Sequence, residues 1–179
     1  GVKLQIEAYI DSLATPDAPP ALTKALQRLN DALQEVRGLS HGLRPALLDT
    51  LGLPAALDRL AQDFSDQGGI EASTVVQGAP RPLLPEAKTA LFRVAQDALT
   101  NVHKHAAGAA CVTLTLQFDA ASVRLRVQDD GHGFDVPALQ MDARRGIGLR
   151  NMRERMAAVG GRLRLRSEPG ATTIEAELT

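Results

Sequence analysis

The sequence predicts an α+β protein: a helical hairpin that pairs into a dimeric four-helix bundle, followed by a two-layer α/β sandwich with a mixed sheet. Two patterns carry that reading. Leu22, Leu26, Leu29, Leu33, Val36, Ser40 and Leu43 alternate spacings of four and three, which is a heptad seam that wants a helical partner. Past Ile70 the period falls to two: Val112, Leu114, Leu116, Phe118; Leu163, Leu165; Ile174, Ala176, Leu178. Each of those runs has one apolar face, and longer helical segments between them supply the cover.

Taken in order, Leu4, Ile6, Ile10 and Leu13 form a short apolar stretch, and Pro16, Pro19 and Pro20 mark a turn before the seam. The chain opens in helical periodicity with no cap in front of Gly1, as if cut from something longer. A lone hairpin cannot cover its own seam, so a homodimer is expected. Arg44-Pro45 ends the seam; Leu53, Leu57, Leu60 and Phe64 then mark a connecting helix that stops at Gly68-Gly69. Strands are expected near 70–77, 110–118, 122–129, 161–168 and 172–178, with helices near 85–106 and 148–159. The resulting domains are 1–49 for the hairpin, 50–69 for the connector and 70–179 for the sandwich.

Composition narrows the function. The 179 residues are 44% hydrophobic, enough to bury a real core, and a net charge of −1 gives no global attraction to nucleic acid. Arg124, Arg126, Arg162, Arg164 and Arg166 alternate onto one sheet face near Glu175 and Glu177, without interleaved aromatics, and read as a solvated, cross-strand-paired surface. One cysteine, Cys111, excludes an internal disulfide and a cysteine-cluster metal site. No apolar run reaches membrane-spanning length, so a soluble fragment without membrane contact is expected.

Chemistry concentrates at two glycine clusters and one helix face. Asp129-Asp130-Gly131-His132-Gly133-Phe134 closes a strand, and Gly146-Ile147-Gly148-Leu149 opens a helix. Glycines let backbone N–H groups approach a polyphosphate, and a helix N-terminus favours negative charge. Asp130-Gly131 is also an ordinary hairpin-turn signal, but residues 135 to 145 show no alternation that could pair back as a second strand. On the 85–106 helix, Leu91, Val94, Ala98 and Val102 form the core stripe and leave Asp97, Asn101, Lys104 and His105 along a second face. An amide oxygen suits Mg²⁺, a lysine suits a phosphate, and a carboxylate one turn upstream suits polarising an attacking group; the bland alternative is the polar side of an amphipathic helix. A P-loop is excluded, because no Gly-Lys dipeptide occurs.

Joined in order, Asp97-Ala98-Leu99-Thr100-Asn101, the Asp129 cluster, the Gly146 cluster and Gly170-Ala171-Thr172 resemble the N, G1/F and G2 boxes of the GHKL ATPases. Leu43-Arg44-Pro45, Phe92-Arg93 through His105, and Gly148-Leu149 through Met152-Arg153-Glu154-Arg155 are similar to sensor histidine kinases of the nitrate-sensor type. The resemblance implies a histidine protein kinase that uses ATP and Mg²⁺ and signals to a response regulator with a DNA-binding helix-turn-helix output. It further implies that Asn101 coordinates Mg²⁺, Asp129 accepts a hydrogen bond from the adenine amino group, and Gly131 and Gly133 shape the pocket wall. Gly146, Gly148 and Leu149 would present amides to the phosphates, Lys104 and His105 would stand by the triphosphate, and Thr172 would support Asp129. Arg144 and Arg145 are phosphate-contact candidates by charge and position, and Asp97 would polarise the acceptor histidine.

Three departures from the family pattern stand out. Asp97 replaces the usual glutamate, Gly170-Ala171-Thr172 shortens Gly-x-Gly-Thr, and none of His41, His103, His105 and His132 is followed by an acidic residue as a phosphoacceptor is. The acceptor box is therefore expected just upstream of Gly1. An anti-sigma-type serine kinase is the enzymatic rival, and a nucleotide-sensing interaction module without catalysis is the other.

Overall fold

The computed structural model describes residues 46–136 and 147–179, all within the unit Pro45–Thr179. The expected hairpin with its heptad seam, and the segment 137–146 with Arg144, Arg145 and Gly146, lie outside the described residues.

A short helix α1 (Ala46–Thr50) precedes α2 (Gly52–Gly68), the segment read as a connector. Leu53, Ala56, Leu57 and Ala61 recur on one face of α2 and are buried with Leu48 of α1. These side chains join the same core as the strands, and α2 packs on β1 (Glu71–Gln77) and on α3 (Pro85–His105). Ser65 ties the helix to the sheet, because its hydroxyl accepts the Ala72 N–H at 2.8 Å and donates to the Ala61 carbonyl at 3.1 Å.

The remaining elements are β2 (Cys111–Phe118), β3 (Val123–Asp129), α4 (Ile147–Ala158), β4 (Arg162–Glu168) and β5 (Ala171–Leu178). Five strands lie in the order β1-β2-β3-β5-β4; β1 and β2 are parallel and the other pairs antiparallel, so the sheet is mixed as expected. A parallel neighbour requires a crossover, and α3 is that crossover. Pro85 begins it, where a missing N–H costs nothing, and Ala90, Leu91, Val94, Ala95, Ala98 and Val102 turn its apolar stripe onto the sheet.

Period two decides which strand residues meet the helices. Val112, Leu114, Leu116 and Phe118 are buried on β2, Leu125 and Val127 on β3, Ile174, Ala176 and Leu178 on β5. Full burial of each leucine contributes about 1.5–3 kcal/mol. The opposite face carries the arginines in the register the alternation predicts: Arg126 reaches Glu175 at 2.9 Å, Arg124 reaches Glu177 at 3.6 Å, and Arg164 also reaches Glu175 at 3.8 Å. It is a paired, solvated surface.

Candidate functional site

Three strands end their apolar stripes with a polar residue, and all three residues fall in one cross-strand row. Asp129 follows Leu125 and Val127 at period two, Thr172 precedes Ile174, and Ser167 follows Leu163 and Leu165. Pairing sets Asp129 opposite Thr172 and Ser167 opposite Thr172. The inner face of the sheet therefore turns polar at one end only. Asp129 is 6% exposed. Burial pushes its carboxyl above the usual carboxylate range; the Gly131 N–H opposes this, and the neighbouring Asp130 charge adds to it.

The segment after β3 is held on both sides by other loops and does not turn back as a hairpin; the strands flanking β3 are β2 and β5. On one side the His132 N–H reaches the Ala107 carbonyl at 3.3 Å, and Asp130 accepts the Ala110 and Cys111 N–H groups at 2.8 and 3.0 Å. On the other, the Gly170 N–H donates to the Gly131 carbonyl at 3.1 Å and the Phe134 N–H to the Ser167 hydroxyl at 2.9 Å. The Ser167 and Thr172 hydroxyls share a hydrogen bond at 2.9 Å, which completes a chain from the loop to the inner-face row.

Gly131 and Gly133 permit this path. Gly133 has φ of +70°, and a Cβ there would lie 2.4 Å from the Glu168 carbonyl oxygen. At Gly131 a Cβ would meet the Asp129 Oδ1 at 2.9 Å and the Ala106 Cβ at 3.0 Å, and its N–H donates to that same Oδ1 at 3.0 Å. The steric demand at both glycines comes from the protein's own chain, a stricter reason than the ligand clearance read from the sequence.

On α3 the second face is graded. Asp97 and Asn101 are half-buried; Lys104 and His105, at the helix end, are exposed. Asn101 faces the start of α4, since a Cβ on Gly148 would sit 3.8 Å from its Oδ1. The Asn101 amide and Gly148 of the second glycine cluster are thus neighbours. Leu149 is 8% exposed and anchors that first turn in the core together with Met152 and Met156. Asp97 is engaged: Arg155 Nη1 donates to its Oδ2 at 2.6 Å. One turn before it, Arg93 donates to Gln96 Oε1 at 2.9 Å; its guanidinium is pushed down by burial first and by Arg155, and up by Asp97.

Arg155, Ser167 and Asp130 were not singled out as site residues from the sequence. Ser167 carried the same signal as Asp129, a polar residue closing an apolar period-two stripe. Asp130 was signalled only by the acidic doublet; Arg155 stood in the motif after Gly148, but nothing local named its partner, which lies on another helix. Among the described residues no group of three or more histidine, cysteine, aspartate or glutamate side chains could hold a metal ion.

Residues 86–179 match the family of histidine kinase-, DNA gyrase B-, and HSP90-like ATPases. The chain belongs to that family, and the ATPase domain implies ATP as its ligand. Curated relatives are sensor histidine kinases: MctS of Rhizobium johnstonii, 44% identical over 89% of this chain and 34% of that protein, and LnrJ of Bacillus subtilis, 33% identical over 88% and 36%. The oxygen sensor histidine kinase NreB of Staphylococcus carnosus is 33% identical over 79% of this chain and 40% of its own. The chain thus spans a little over a third of the length of these relatives. Among solved structures, the Acinetobacter baumannii histidine kinase AdeS shares the fold with a TM-score of 0.59 at 14% identity, covering 99% of this chain and 92% of that one. The histidine kinase domain of the Erythrobacter litoralis EL346 blue-light activated kinase does so at 0.57 and 21% identity, covering 70% and 60%. The resemblance read from the boxes is borne out at the level of the family and its kinase members.

Proposed function

We propose that this chain is the dimerisation and ATP-binding portion of a sensor histidine kinase, which holds Mg-ATP and passes the γ-phosphoryl group to a histidine for relay to a response regulator. The observation that carries the reading is the polar row closing the inner face, with a carboxylate only 6% exposed at its end. Burying a carboxylate is costly unless it meets a partner, and the adenine amino group is a donor suited to Asp129. In this reading Thr172 supports that contact, Gly131 and Gly133 form the wall, and Lys104 and His105 stand by the triphosphate. Gly146, Gly148 and Leu149 would present backbone amides to the phosphates, and Arg145 would contact them by its charge.

The Asn101 amide oxygen fits Mg²⁺ delivered on a polyphosphate, because that ion keeps phosphate and water ligands and needs few from the protein. Held by Asn101, that ion would neutralise charge on the phosphates. The residues then position the reaction. One imidazole nitrogen of the acceptor attacks the γ-phosphorus while the bond to the β–γ bridging oxygen breaks and ADP leaves with its electrons. Asp97 holds the N–H on the other ring nitrogen and receives its proton as positive charge develops.

In the whole protein, 1–49 would supply the hairpin of a homodimeric bundle, 50–69 the connector and 70–179 the catalytic domain, on the cytoplasmic side. No described helix is long and apolar enough to cross a membrane. The regulator would carry a helix-turn-helix output. The test uses the full-length protein with γ-labelled ATP. An acid-labile, base-stable adduct that is lost in Asn101→Ala is expected; nucleotide binding with no such adduct overturns the kinase reading in favour of a nucleotide-sensing module.

A further inference from the structure

Thr172 stands in the middle of the polar row, opposite Asp129 on β3 and opposite Ser167 on β4. Its hydroxyl lies 2.9 Å from the Ser167 hydroxyl, and among the described residues that is its one side-chain hydrogen bond. The Asp129 carboxylate at the end of the row accepts the Gly131 N–H at 3.0 Å, and no bond from Thr172 joins it. A hydroxyl has one proton to give and two lone pairs to fill. The order of giving is set at the far end of the chain. The Phe134 N–H can only donate, and it fills a lone pair of Ser167 at 2.9 Å. The same loop presses close on that oxygen, since a Cβ on Gly133 would lie 3.0 Å from it. A hydroxyl that already accepts a bond is the more strongly polarised donor, and the acceptor beside Ser167 is Thr172 Oγ1. With Ser167 donating, the Thr172 proton has no taker among the described residues of the row.

We propose that Ser167 is a positioning residue for base recognition: by donating to Thr172 it leaves the Thr172 proton for the nucleotide, so that the row offers a hydrogen-bond donor beside the acceptor Asp129. The proposal rests on the reading above that Asp129 meets the amino group of the base. A base that fits both carries an amino group next to an unprotonated ring nitrogen, as adenine does. Guanine carries the reverse pair, a carbonyl next to a ring N–H. Ser167 itself touches no part of the base and acts through Thr172. A site built to hydrogen-bond a substrate atom rejects the analogue that lacks it, so the ring nitrogen can be tested by itself.

The test is calorimetry on the full-length protein with three nucleotides: ATP, 1-deaza-ATP, in which a C–H replaces that ring nitrogen, and purine riboside triphosphate, which lacks the amino group. The proteins are wild type, Ser167→Ala, Ser167→Thr, Thr172→Val and the Ser167→Ala, Thr172→Val double variant. Wild type is expected to bind ATP on the order of 10-fold more tightly than 1-deaza-ATP, the size of one neutral hydrogen bond. Ser167→Ala loses most of that ratio and keeps the ratio between ATP and purine riboside triphosphate, which Asp129 sets. Ser167→Thr retains both ratios, because the hydroxyl is preserved. Thr172→Val matches Ser167→Ala, and the double variant is no worse than Thr172→Val, since Ser167 then has no proton to direct. An unchanged ATP to 1-deaza-ATP ratio in Ser167→Ala, or an equal loss of all three nucleotides there, would overturn the positioning role and leave Ser167 a loop anchor. A wild type that binds ATP and 1-deaza-ATP alike overturns it as well. Indifference of the wild type to the amino group would instead overturn the reading of Asp129.

Discussion

Asp129 and Asp130 are consecutive and chemically identical, yet the pleat of β3 sends them to opposite duties. Asp129 continues the buried face of Leu125 and Val127 and is 6% exposed. Asp130 is exposed, past the strand end, and its carboxylate accepts the backbone N–H groups of Ala110 and Cys111. Burial drives the first carboxyl above the usual range, whereas the Cys111 N–H, the Cys111 thiol and the Ala110 N–H hold the second below it. One carboxylate staples a loop; the other is kept poorly solvated at the end of an apolar stripe. Poor solvation is a liability for stability and an asset for recognition, since a donor arriving there meets an acceptor that water does not satisfy.

The comparison fails first if the loop between the two regions is broken. Gly133→Ala places a Cβ 2.4 Å from the Glu168 carbonyl oxygen in a left-handed conformation. Backbone strain and overlap together should cost about 2–5 kcal/mol, read as a fall in thermal midpoint with loss of nucleotide affinity; a midpoint equal to wild type contradicts the described path. Ser167→Ala comes next. It removes the acceptor for the Phe134 N–H and the partner of Thr172, a loss of roughly 0.5–1.5 kcal/mol by chemical denaturation, while the strand pairing that holds Asp129 survives.

The smallest effects are the pH profiles, and they have opposite signs. Asp129 has a folded-state pKa raised above 3.8, so its contribution to stability is present below that value and lost as pH rises through the folded pKa. For Asp130 the folded value is lowered, so its contribution is present above 3.8 and lost as pH falls through the folded pKa. Denaturation curves over roughly pH 3 to 7 should therefore show Asp129→Asn gaining on wild type as pH rises and Asp130→Asn gaining as pH falls. Parallel curves for the two variants would show that the pleat does not separate them.

Much of this was legible because period two and period 3.6 are strong local signals. All five expected strands appear within one residue of their expected bounds, from β1 at Glu71–Gln77 to β5 at Ala171–Leu178, and Leu91, Val94, Ala98 and Val102 are buried as read. The arginine face found its glutamates because alternation fixes the face, and register did the rest. What escaped was non-local. Nothing in the chain near Asp97 announces Arg155, and the Gly170 N–H reaches the Gly131 carbonyl only after β4 and β5 have been laid beside β3. The packing of α2 into the common core was also hidden, since its apolar stripe shows that it packs without showing on what.

The central claim, that Asp129 is the base-recognising carboxylate at the end of the inner face, is tested most directly by calorimetry of ATP and GTP against wild type and Asp129→Asn. Adenine presents an amino group where guanine presents a carbonyl, which a carboxylate repels. Wild type should strongly prefer ATP, and Asp129→Asn, which loses a charge-assisted hydrogen bond of about 1.5–3 kcal/mol, should bind ATP roughly one to two decades more weakly and lose most of the preference. Equal ATP affinity in the two proteins, with the preference for ATP intact, would contradict the account.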